Sequence, residues 1–99
     1  MTDQEVKAPT APGEGSDLPR IDLSTLILSL STTALYQMGL APDPSTGITG
    51  KPDALLARQS IDTLEMLQEK TRGNLDADEE KLFDSLLYEL RMRFVEIGR

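Results

Sequence analysis

The sequence predicts an all-α fold: an N-terminal disordered tail followed by three helices, the last two an antiparallel helical hairpin and the first unusually apolar. Three observations predict it. Apolar residues recur at helical spacing in three separate stretches, and no run alternates as a half-buried strand does. Each stretch is bounded by helix punctuation, an Asp or Pro at its start and a Gly at its end. Pro and Gly crowd the segment ahead of the first stretch.

Residues 1–20 are expected to be a disordered tail. Pro9, Pro12, Pro19, Gly13 and Gly15 stand among small and charged residues, with only Val6 and Leu18 sizeable and apolar. Such a segment buries too little surface to offset its ordering entropy. It serves as a solubilising leader or as a partner-binding arm. Residues 21–99 are the expected helical interaction domain.

The first helix starts behind Asp22, a good N-cap, and runs to Met38 before Gly39. Leu23, Leu26, Ile27, Leu30, Ala34 and Met38 line one side, and Leu28, Leu35 and Tyr36 carry apolar surface around the cylinder. No charged residue occurs between Asp22 and Asp43. Much of the stretch is Ser, Thr or Gln, and no basic or aromatic flanks mark two membrane interfaces, so a membrane span is rejected. A helix apolar all round has to be covered all round. It is therefore expected to pack both on the hairpin and on a second protein surface, as a homo-oligomer or with a partner.

Ala41 to Gly47 is dense in turn formers and reads as an ordered connector. It lacks the glycine spacing and the terminal Lys-Ser/Thr pair of a phosphate-binding loop. The second helix is expected to begin at Pro52 and end at Gly73, burying Ala57, Ile61, Leu64 and Leu67. Gly73-Asn74-Leu75 is a tight connector, and Asp76 with Glu79 forms a capping-box start. The third helix then carries Leu82, Phe83, Leu86, Leu87, Leu90, Phe94 and Ile97 at helical spacing. Its acids gather at the N-terminal end and Arg91 and Arg93 towards the other, as the helix dipole favours. Tyr88, Met92 and Val95 follow each other off the main stripe.

Composition narrows the function classes. The chain of 99 residues contains no Cys and no His. Disulfides, zinc staples, Cys nucleophiles and imidazole proton shuttles are thereby excluded. About 80 residues outside the tail supply only about 3–5 kcal/mol of net stability, which again favours a partner or self-association. The net charge of −7 disfavours nucleic acid and anionic lipid surfaces. The sequence opens without a signal peptide, so the cytoplasm is the expected location. The expectation is a non-enzymatic protein-interaction module with no cofactor and no metal. The rival reading is a small carboxylate-dependent enzyme or divalent-metal-binding protein. Candidate partner-binding residues are Leu26, Ile27, Leu30, Tyr36, Tyr88, Arg91 and Met92.

Six blocks also carry a resemblance: Ile21 to Leu30, Ala34 to Gly39, Pro42 to Gly47, Gln59 to Leu67, Lys70 to Leu75 and Leu87 to Arg91. In that order they resemble a bacterial family catalogued as a domain of unknown function (DUF1844). One branch of it resembles the RomX-like polarity adaptors. That branch implies association with a receiver-domain response regulator and a GTP-bound Ras-like small GTPase. It also implies promotion of nucleotide exchange as part of a complex, and recruitment to a cell pole.

Overall fold

A computed structural model of the chain describes residues 20–98. The expected disordered tail therefore lies, apart from Arg20, outside the described residues. The three helices are α1 (Leu23–Gln37), α2 (Ala54–Lys70) and α3 (Ala77–Ile97), and no strand occurs among the described residues.

Each helix begins with an aspartate whose extended backbone stops the helix and whose carboxylate satisfies a free amide. Asp22 accepts from the Thr25 N–H at 2.8 Å. Asp53 accepts from the Leu56 N–H at 3.1 Å. Asp76 accepts from the Glu79 N–H at 2.8 Å while the Glu79 side chain accepts from the Asp76 N–H at 2.9 Å, a complete capping box.

The expected start of α2 at Pro52 is corrected to Ala54. Besides capping through its side chain, Asp53 donates its N–H to the Gln37 carbonyl at 2.7 Å. That bond ties the start of α2 to the end of α1 and holds Asp53 in an extended conformation, with Pro52 outside the helix. At its far end α2 stops at Lys70, short of Gly73. The Thr71 hydroxyl donates back to the Leu67 carbonyl at 2.7 Å.

The connector from Gly39 to Asp53 is held by its own bonds. The Asp43 carboxylate accepts the Ser45 N–H at 2.8 Å, and the Asp43 N–H donates to the Ile48 carbonyl at 3.0 Å. Gly39 lets this loop lie against α1. Its φ is +75°, and a Cβ there would stand 2.9 Å from the Gly50 carbonyl oxygen.

The helices pack on one another around a single cluster. Ile27, Ala34 and Met38 come from α1 and its C-cap, Ala57, Ile61 and Leu64 from α2, and Phe83, Leu87 and Leu90 from α3. Polar pairs give the directions. Gln37 at the end of α1 accepts from Ser60 near the start of α2. Along α2 and α3, Glu65 meets Arg91 and Gln68 meets Asp84, so residue numbers rise on one helix as they fall on the other. The hairpin of α2 and α3 is antiparallel.

Candidate interaction surfaces

α3 exceeds what the core needs. One side of it carries Phe83, Leu87 and Leu90 inward, with Leu82, Leu86, Phe94 and Ile97 partly buried around them. Tyr88, Met92 and Val95, at i, i+4 and i+7, share a different side of the helix. They are 66%, 50% and 56% exposed, which is unusual for three neighbouring side chains of this size. With Arg91 and Glu96 they line a shallow groove.

Arg91 borders this groove without facing it as a free cation. Its Nε and Nη2 donate to Glu65 Oε2 at 2.9 and 2.7 Å, clasping α3 to α2. Two residues further along the helix, Arg93 donates to Glu89, one turn back, at 2.7 Å. Both guanidinium groups are thus paired, and the apolar side chains stand beside locally balanced charge. These pairs are half exposed, so each stabilises the fold by about 1 kcal/mol at most.

The candidates from α1 go to other places. Ile27 is enclosed by the chain's own helices, which corrects its expected place on a partner-facing surface. Leu30 is half-buried and packs against the core. Leu26 remains outward at 41% exposure, and Leu28, which was not among the candidates, at 49%. Tyr36 is half-buried beside the connector, in a depression shared with Asp43, Thr46, Ile48, Lys51 and Leu56. The structure brings Tyr88, Arg91 and Met92 together, with Val95, and places Tyr36 and Leu26 elsewhere. The candidate residues thus fall on more than one surface. α2 adds exposed Leu55 and Met66, which sequence reasoning did not single out.

The outward side of α1 is chemically distinctive. The Thr32 hydroxyl donates to the Leu28 carbonyl at 3.0 Å and the Thr33 hydroxyl to the Ser29 carbonyl at 3.1 Å. The buried Ser31 hydroxyl does the same to the Ile27 carbonyl at 2.9 Å. Hydroxyls bonded back to the helix need no outside partner. The strip between Leu26 and Leu28 is therefore uncharged, with its threonine hydroxyls already satisfied.

Among the described residues, Asp22 and Asp43 have carboxyl groups held below the ordinary range. In each case the main cause is a backbone amide given to the charged form, from Thr25 and Ser45 respectively, reinforced by those residues' hydroxyls. These are capping carboxylates, not poised acids or bases. Among the described residues no group of three His, Cys, Asp or Glu side chains gathers as it would around a metal ion. No described helix is long and apolar enough to cross a membrane.

A family model described as a domain of unknown function, DUF1844, matches residues 20–96, which takes in α1, α2 and all of α3 but Ile97. No curated protein and no solved structure matches the chain.

Proposed function

The chain belongs to the DUF1844 family, and from that premise we propose that it is a non-enzymatic adaptor which docks a protein partner on α3. The observation that carries this reading is the Tyr88–Met92–Val95 face. Its three side chains are half exposed or more on a helix whose core stripe is complete without them. Tyr, Met and Arg are enriched at protein interfaces, and a flexible Met beside a rigid Tyr suits a surface that accepts another protein. The paired state of Arg91 and Arg93 lowers the charge a partner has to desolvate.

The finer proposal rests on the resemblance to RomX-like polarity adaptors. In it the chain acts in the cytoplasm and is recruited to a cell pole. It links a receiver-domain response regulator to a Ras-like small GTPase and promotes nucleotide exchange as part of that complex. Promotion of exchange requires different affinities for the two GTPase states, since a ligand that binds both equally shifts neither.

The test is a titration of wild type and of Tyr88→Ala/Met92→Ala against a Ras-like GTPase. The GTPase is loaded with GDP or a GTP analogue, with and without the response regulator. Anchor residues contribute about 2 kcal/mol each, so the double variant should lose about 4 kcal/mol, or several hundredfold in affinity. The variant's thermal melt should match wild type, because both side chains lie outside the core. Binding that ignores the nucleotide state removes the switch, and undiminished binding by the double variant moves the interface off α3.

A further inference from the structure

The Tyr88–Met92–Val95 face is short. Seven residues of helix rise about 10 Å, and Val95 stands close to the end of α3 at Ile97. A stable interface covers roughly 800 Å² on each partner, more than these three side chains supply. A partner seated here has to reach further, and towards the C-terminus the helix ends. Sideways, the Arg91–Glu65 pair bars the seam with α2. Towards the N-terminus α3 continues. Asp84 lies four residues before Tyr88 and Glu80 four before Asp84, so Glu80, Asp84, Tyr88 and Met92 form one i, i+4 ridge, all of it exposed. A second depression opens at the acidic end of that ridge, between Glu80, Asp84, Gln68, Arg72 and Leu75.

The two ends of the ridge differ in how their charges are met. Beside Met92, Arg91 and Arg93 are tied to Glu65 and Glu89. At the other end Arg72 is tied to Glu69. Asp84 accepts the neutral amide of Gln68 at 2.9 Å. Among the described residues neither Asp84 nor Glu80 has a cation within ion-pair distance. The helix dipole accounts for an acid in the first turn, where Glu80 stands, but not for Asp84 a turn further in. Lys81 offsets one of the exposed acids Asp78, Glu80 and Asp84, and the local balance stays negative.

We propose that the partner of α3 is a protein segment with an apolar anchor at one end and lysine or arginine at the other, lying along this ridge with its cations over Glu80 and Asp84. The inference rests on the reading of α3 as a docking face, and adds what docks there and which way round. An uncharged segment of the same reach strips water from two carboxylates and returns nothing. An acidic one adds repulsion to a chain already at −7. A basic one replaces the lost water with charge-assisted hydrogen bonds. The ridge is apolar towards Val95 and acidic towards Glu80, so the order along the partner is fixed as well. Its apolar residues lie over Tyr88 and Met92, and its cations towards the start of α3.

A display library of random peptides of about 16 residues, the length of a helix that covers the ridge, tests it by selection on the full chain. Enriched peptides should carry Lys or Arg to one side of a pair of large apolar residues. The tightest of them, titrated by fluorescence anisotropy, should bind Glu80→Gln/Asp84→Asn about tenfold more weakly than wild type at low salt. That gap should close at high salt. Replacing the peptide's cations with glutamate should abolish binding to wild type and restore it on Glu80→Lys/Asp84→Lys, a rescue that loosening of the fold cannot give. Both acids are exposed and outside the core, so these variants should keep wild-type helicity. Should Glu80→Lys/Asp84→Lys lose it, Glu80→Gln/Asp84→Asn decides. Peptides that bind Tyr88→Ala/Met92→Ala as well as wild type take the docking face off α3, and the adaptor reading falls together with this inference. Peptides that need Tyr88 and Met92 but carry no cations, or that bind Glu80→Gln/Asp84→Asn undiminished, overturn this inference alone. A library from which nothing dependent on α3 emerges overturns it as well.

Discussion

Gly39 and Gly47 share a left-handed backbone, with φ of +75° and +72°, yet they answer to different constraints. A side chain at Gly47 meets nothing within 4 Å, whereas at Gly39 it meets the Gly50 carbonyl and Pro52. Gly47→Ala should therefore cost only the conformational strain, about 1 kcal/mol. Gly39→Ala should cost about 3 kcal/mol or more, since it also drives the connector off α1. Urea melts of the two variants side by side would show it, and equal losses would contradict the close approach. Asp22 and Asp43 make a second prediction at this scale. Their carboxyl groups are held below the ordinary 3.8, chiefly by the Thr25 and Ser45 amides. A carboxyl with a lower pKa folded than unfolded adds stability that is whole above the unfolded value. That stability is lost as pH falls through the folded one. Melting temperature should thus begin to fall near pH 4 and continue downward. Asp22→Asn/Asp43→Asn should flatten that acid limb while leaving the neutral-pH melt close to wild type, because Asn also caps and turns. An acid limb as steep as wild type would show that other carboxylates control it.

α1 shows how far local signals reach within an element. Its start at Asp22 and the capping box of α3 were legible because both are made by residues three apart. The start of α2 was not, because Pro52 and Asp53 are competing signals. The choice between them depends on a bond from Asp53 to Gln37, far back along the chain. The same limit governs the candidate surfaces. Tyr88, Met92 and Val95 were readable as a series off the main stripe of α3, since the core stripe there is flanked by charges that fix its width. On α1 no charge marks the solvent side, so nothing local distinguishes buried Ile27 from exposed Leu26 or Leu28. Tertiary packing makes that choice. Ser31 is its clearest product, a hydroxyl buried among apolar neighbours and bonded to the Ile27 carbonyl. That carbonyl keeps its helical amide partner when the hydroxyl is removed, so no group is left unsatisfied. Ser31→Ala should then hold or raise the melting temperature, as Ala is the better helix former by about 0.5 kcal/mol. A clear drop would mean that the hydroxyl is needed by the packing around it.

At the scale of the molecule, all three helices converge on one cluster of nine buried apolar residues, three from each helix region. No helix has a private core, so none should persist when the shared one fails. This makes the chain a single cooperative unit, with about 3–5 kcal/mol of net stability for a core of this size. Two substitutions one residue apart on α1 test that. Leu28→Asp places a carboxylate on a half-exposed flank, where water still reaches it. Ile27→Asp places the same group at a fully buried position with no basic residue in the surrounding cluster. An unpaired buried charge costs several kcal/mol, which equals or exceeds the whole stability. Ile27→Asp should therefore unfold α1, α2 and α3 together, with far-UV circular dichroism and tyrosine fluorescence lost in parallel. Leu28→Asp should keep wild-type helicity. Retention of helical signal near that of α2 and α3 in Ile27→Asp would show that the hairpin stands without α1, and the single shared core would be refuted.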